Sequence, residues 1–209
     1  MIKVTWLGHS SVKLEYNGYQ IVMDPYAPGT VPGLDEISEE AHLVLCSHEH
    51  RDHNSRESVR FATGVVNPFE VIELHSYHDD VLGAKRGPNT IHVLENDEIK
   101  IVHLGDIGCQ PTSNQIQKMY QADLIFVPVG GHYTAELDVI HQILKDIDPK
   151  VIVPMHFRSD TFGYDVIGQV EPFLNMYNHV LHLNSHSFSY PTYPNTSIVV
   201  LKPKYMKSL

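Results

Sequence analysis

Residues 41–54 read AHLVLCSHEHRDHN, and this stretch decides the fold. Its first six residues, 41–46, form a short continuous apolar run, the pattern of a strand buried on both faces. The chain then turns polar at once, and His48, His50, Asp52 and His53 fall within six residues. Residues two apart in extended or turn backbone share a face, so His48 and His50 point the same way and suit one metal ion. Asp52 and His53, after the chain turns, suit a second. Imidazole and carboxylate ligands favour zinc and also accept iron or manganese. A merely solvated loop would explain the polarity, but not this ligand spacing directly after an apolar strand.

Working outward, the N-terminal side reads as β structure. Residues 2–7 and 11–16 alternate apolar and polar positions, Asn17-Gly18 is a hairpin turn, and 19–23 is the return strand. Asp24-Pro25 breaks that strand, and the Pro/Gly-rich stretch 25–33 reads as a lid or surface loop. On the C-terminal side, 55–61 is predicted as a short helix, with strands over 64–67, 70–75, 89–94 and 99–104. Alternating α and β follow. A helix over 112–121 is capped by Thr112 or Ser113, and a strand covers 124–129. A helix over 134–147 places Leu137, Ile140, Ile143, Leu144 and Ile147 on one stripe. A strand over 151–153 leads to Pro154-Met155-His156. A last helix over 169–177 precedes strands over 180–183 and 197–201. The order points to two sheets covered by helices, with no repeat or linker dividing them.

Composition limits the function. Of 209 residues, 42% are hydrophobic and 19% charged, so the chain is neither disordered nor fibrous. Asp and Glu outnumber Lys and Arg by 25 to 15, a formal charge of -10, which disfavours long nucleic acid or an anionic membrane as partner. Two cysteines cannot carry a disulfide framework and fit a reducing compartment. The opening MIKVTWLGHSS has no apolar leader, and no window reaches the ~18 apolar residues of a membrane span. A cytoplasmic protein acting on a small molecule is therefore expected. The 15 histidines equal Lys and Arg together, and point to metal ligation or proton chemistry.

The order of motifs resembles the metallo-β-lactamase superfamily. His48-x-His50-x-Asp52-His53 is similar to its signature, and Asp24 ends an upstream strand as the family's first motif does. Tyr77-His78 resembles the intermediate His, His103-Leu104-Gly105-Asp106 the later Gly-Asp motif, and 151–156 the final strand-end His. Gly8-His9-Ser10, the segment 128–134 (PVGGHYT) and 153–157 (VPMHF) are similar to a compact branch that includes ascorbate-6-phosphate lactonase-like proteins. The resemblance implies an α+β fold: one αββα sandwich over 1–209, two mixed sheets flanked by helices. It implies two divalent metal ions, zinc first, with manganese or iron as alternatives. His48, His50 and His78 would bind one ion, Asp52, His53 and His156 the other, and Asp106 would bridge them. A hydroxide between the ions would then attack a small ester, lactone, amide or phosphoester, with an anionic substrate allowed. An iron-dependent redox enzyme and a nucleotide phosphodiesterase are the alternatives on the same fold.

Several residues keep two readings. His78 competes with His75, which an alternating strand would place on the Tyr77 face. Asp106 is a bridging ligand or a turn cap, and His156 a ligand or a buried structural His. Asp24 either orients a metal-bound His, as the family implies, or simply ends a strand. His9 lines the site or packs at a strand end. His132 joins Asp52 and Asp106 as a candidate catalytic residue, binding an oxyanion or donating a proton, or is an exposed loop His. Arg158 pairs with a substrate anion or balances Asp160. Cys109 lies near the metals or is a small buried Cys. His42, His92, His141, His179, His182 and His186 have no ligand partner nearby in sequence and are assigned core or surface roles.

Overall fold

The computed structural model describes residues 1–193 and 197–207. The apolar runs become strands of two mixed sheets. In the first, β1 (Ile2–Gly8), β2 (Ser11–Tyr16) and β3 (Tyr19–Met23) form an antiparallel meander, and β3 then pairs in parallel with β5 (Leu43–Leu45). Asn17 and Gly18 make the β2–β3 turn with φ of 48° and 83°, the left-handed pair that a two-residue hairpin requires. The far edge is closed by β13 (Ser187–Tyr190), antiparallel to β1.

The second sheet has seven strands. β7 (Glu70–Tyr77), β8 (Pro88–Glu95) and β9 (Lys100–His103) are antiparallel neighbours. β10 (Leu124–Pro128), β11 (Val151–Met155), β14 (Ser197–Val200) and β12 (Val180–His182) continue from β9 in parallel. β10 and β11 are buried along their whole lengths, as a central parallel pair must be. Trp6, Ile21, Ile91 and Phe126 belong to one continuous apolar core, each at 1% exposure or less.

Strand direction places the site. β1, β3 and β5 run one way in the first sheet, and β7, β9, β10 and β11 run together in the second. His9, Asp24, His48, His78, Asp106 and His156 all follow the C-terminal ends of these strands. The fold is the expected α+β sandwich, with thinner helical layers than predicted. The described helices are α1 (Ser113–Met119), α2 (Leu137–Ile147) and the single turn α3 (Glu171–Leu174). Thr112 is the cap of α1, in a reciprocal capping box with Gln115. α2 buries Ile140, Ile143, Leu144 and Ile147, and starts later than predicted because Ala135 N–H is bonded to Ile107 instead. No described helix is long and apolar enough to cross a membrane.

Several expectations are corrected. The 41–46 run is split at His42: Ala41 ends β4 (Glu39–Ala41), and Leu43 and Val44 are only half-buried because β5 is an edge strand. Residues 55–61 form a 3-10 turn followed by β6 (Val59–Phe61), which pairs with β4 in a two-stranded ribbon. Residues 64–67 are exposed loop rather than strand, and the helix predicted over 169–177 shrinks to α3. Of the two readings of the 25–33 loop, its packing favours the surface loop. Tyr26 and Val31 are buried, and a Cβ on Gly33 would come within 1.9 Å of the Thr161 carbonyl oxygen. Glycine is required there both by that contact and by its φ of 74°.

Candidate metal centre

Asp24 is the scaffold of the site. It is fully buried in the left-handed region, with φ of 47°. Its Oδ1 accepts from Ser47 N at 2.7 Å, and its Oδ2 accepts from Ser47 Oγ at 2.6 Å and from His53 Nδ1 at 2.9 Å. Ser47 Oγ in turn lies 2.9 Å from His48 Nδ1. The outward nitrogen of each imidazole is therefore fixed, and Nε2 of each is aimed at the opposite sheet.

From that sheet Asp106 reaches in. Asn89 Oδ1 accepts its backbone N–H at 2.9 Å, and the Asn89 amide also bonds Leu104 O and Ser76 Oγ. Asp106 Oδ2 stands 3.2 Å from His53 Nε2, 3.4 Å from His78 Nε2 and 3.0 Å from His156 Nε2. His48, His50 and His78 bring one ligand atom each within 4.8 Å of one another, as do His9, Asp52, His53 and His156, and also His48, His53 and Asp106. All seven residues proposed from the sequence as ligands are thus brought together. His78 is buried there while His75 is exposed. Gly108 makes the approach possible, since a Cβ on it would lie 2.3 Å from the Asp79 nitrogen and 2.4 Å from the His78 carbonyl carbon.

The donor set suits divalent cations. His48 Nε2 is buried with no hydrogen-bond partner, an arrangement that is costly unless another group satisfies it. Burial and the neighbouring His53 push His48 down to about 3, so it is the neutral imidazole a metal needs. Burial and His156 push His9 down to about 4. Burial opposes a charge on His53 as well, but Asp106 and Asp24 outweigh it and raise that imidazole well above its ordinary value. Burial would raise the carboxyls of Asp106 and Asp52, yet the surrounding imidazoles hold both below the usual range.

The cluster opens into a cleft of about 340 Å³. His50, Asp52, His78, Asp106 and His156 line one part, and Lys85, Arg86, Tyr133 and Tyr164 complete it. His9 lies beneath, fully buried, with Nε2 3.3 Å from Asp52 Oδ2, and the Tyr164 hydroxyl donates to the same oxygen at 3.3 Å. His132 is placed differently from its expected catalytic position: its side chain is exposed and does not line the cleft, whereas Tyr133 does. The left-handed backbone at Gly131 and His132 swings the ring away. Arg158 does not line it either and bonds Ile167 O through Nε. Cys109 does not line the cleft and is half-exposed, with Sγ near Tyr77 O.

Asp79 folds the loop beside the cleft. Its Oδ1 accepts from Val81 N and Gly83 N, and its Oδ2 from Lys85 N and Arg86 N, at 2.7–2.9 Å. Burial would raise this carboxyl, but those four N–H groups pull it down to about 2. A depressed carboxyl stabilises the fold above its ordinary value of about 4, and that contribution is lost as pH falls toward the folded value. The stability gap between wild type and Asp79→Asn is therefore expected to be constant above about pH 5 and to narrow below about pH 4. Urea unfolding across that range measures it, and a gap that is unchanged in acid refutes it.

Comparison with known proteins identifies the family and the fold. The β-lactamase superfamily domain matches residues 3–156. A UPF0173 metal-dependent hydrolase of Hyperthermus butylicus is 24% identical, covering 75% of this chain and 83% of its own. A UPF0173 metal-dependent hydrolase of Staphylococcus carnosus is 27% identical, covering 78% and 87%. A solved structure from Thermotoga maritima, assigned as a Zn-dependent hydrolase of the metallo-β-lactamase superfamily, matches with a TM-score of 0.77 and 26% identity, covering 96% of this chain and 98% of that one. The chain belongs to the metallo-β-lactamase superfamily. The class it shares with these relatives is the metal-dependent hydrolase.

Proposed function

We propose that the chain hydrolyses a small ester, lactone, amide or phosphoester with a pair of divalent ions, zinc first and manganese or iron as alternatives. His48, His50 and His78 would hold one ion, Asp52, His53 and His156 the other, with Asp106 between them. The observation that carries this reading is Asp106 Oδ2, which stands within 3.4 Å of imidazoles from both sets. When bound, the ions supply Lewis-acid charge that acidifies a water and polarises the substrate oxygen.

The chain's own residues do the rest. Asp24 fixes His53 through Nδ1, and Ser47 fixes His48. His9 and Tyr164 both contact Oδ2 of the Asp52 carboxylate and hold it in place. Burial and Asp52 raise the Tyr164 phenol, so it stays protonated and remains a donor at neutral pH. The cleft has the volume of a small-molecule site.

Elemental analysis of protein purified without added metal tests the reading. About two divalent ions per chain are expected from the two ligand sets. Fewer than one ion per chain, with no uptake on titration, would sink it. Assay of the loaded protein on lactones, phosphodiesters, thioesters and β-lactams then narrows the bond cleaved.

A further inference from the structure

Two cations stand at the cleft without a role in holding metal. Lys85 and Arg86 are adjacent in sequence and both line it, in a chain whose formal charge is -10. Their placement is built. The Asp79 carboxylate, directly after His78, gathers the loop by accepting four backbone N–H groups, the last two from Lys85 and Arg86 themselves. Gly87 N–H closes the loop on Gly83 O at 2.9 Å, and His78 N–H returns to Gly87 O at 3.1 Å. The segment carrying the cations is thereby tied to the segment carrying His78.

Arg86 is aimed as well as placed. Its Nη2 donates to the His132 carbonyl at 2.8 Å, and its guanidinium lies over the Tyr133 ring at 5.7 Å. Among the described residues it has no carboxylate partner. Arg86 is half-buried as a residue, and a guanidinium carries five donors in a planar fork that matches a carboxylate or phosphate, most of which are unused among the described residues. Among the described residues Lys85 pairs only with Asp80, at 3.0 Å, both side chains being more than half exposed, so it can turn toward a ligand.

We infer that Arg86, assisted by Lys85, is the specificity-determining anion site of this cleft. The substrate then carries a carboxylate or phosphate apart from the bond that is cleaved. This rests on the proposed hydrolase reading for the cleaved bond, but not for the binding of the anion itself. The chemistry is charge-assisted hydrogen bonding to a planar or tetrahedral anion by a fixed fork, with a mobile ammonium as second contact.

Two arms test it on the full chain, with wild type and every variant incubated with the same excess of metal. In the first, calorimetry follows inorganic phosphate and glutarate binding to wild type, Arg86→Gln and Asp106→Ala. Arg86→Gln is expected to weaken the tighter-binding probe at least tenfold, and the identity of that probe separates phosphate from carboxylate. Unchanged affinity in Arg86→Gln, or no binding of either probe to wild type, overturns the inference. Asp106→Ala reports on the metal pair: loss of metal uptake there with anion binding intact supports an anion site independent of it.

The second arm compares 4-nitrophenyl acetate with the 4-nitrophenyl monoester of glutaric acid, which bears a free carboxylate. Wild type is expected to prefer the anionic ester, and Arg86→Gln to lower that preference in kcat/KM at least tenfold, mainly through KM. An equal loss on both esters marks a structural effect only and overturns the inference. If wild type cleaves neither ester, that counts against the hydrolase reading, and the calorimetry alone decides the anion site.

Discussion

Asp106→Ala is expected to lower turnover on a confirmed substrate by about 10³-fold, the scale of removing one preorganised charge from a reaction centre. It is also expected to reduce bound metal from about two ions per chain to one or fewer, because the shared ligand is gone. The reason is geometric. One carboxylate oxygen faces His53, His78 and His156 together, and no other described carboxylate touches imidazoles of both ligand sets so closely. Asp106→Asn keeps the shape and the backbone N–H bond to Asn89 Oδ1 but removes the charge, so it separates folding from ligation. Full turnover in Asp106→Ala, with two ions retained, would remove this residue from the centre.

Asp24→Ala is expected to destabilise the fold by roughly 3–5 kcal/mol, the cost of breaking a buried charged pair by removing one partner. It is also expected to weaken metal binding about 10–100-fold, as loss of an outer support to a ligating imidazole does. Asp24 has no solvent exposure, and it holds the Ser47 backbone, the Ser47 hydroxyl and His53 at once. Burial disfavours its charge, yet His103 and His53 keep the carboxyl well below the usual range, so it is anionic throughout the neutral region. Chemical unfolding and zinc titration of the same preparation measure the two effects. A variant with wild-type stability and affinity would return Asp24 to the role of a turn residue.

Much of this was legible because the ligands sit where apolar runs stop. A strand that ends in His, Asp or Gly-Asp announces a site, and β3, β7, β9 and β11 each did so. The choice between His75 and His78 needed the strand's end, since β7 runs on to Tyr77 and leaves His78 just beyond it, buried. The lactonase-like branch was not recovered, since the relatives described above are named only as metal-dependent hydrolases. Residues whose position depends on a loop closing on itself escaped. Lys85 and Arg86 are an unremarked basic pair until Asp79 folds the chain around its carboxylate. Tyr164 meets Asp52 across 112 positions of sequence, which no local pattern reveals. The adjacency of two cations in an acidic chain was the one local signal available. β13 was missed for a related reason, as Ser-Phe-Ser-Tyr is too short to show a period and is a strand because β1 offers it an edge.

The exposed loop at 63–67 lies between the two contributions to the site. Everything from His9 to His53 precedes it, and His78, Asp106 and His156 follow it. Each piece alone would carry a fragment of the constellation, and only the reunited pair would carry the whole. In a chain nicked at this loop neither fragment would hold the whole constellation, so, on the proposed hydrolase reading, any recovered turnover would count how often the two fragments had found each other.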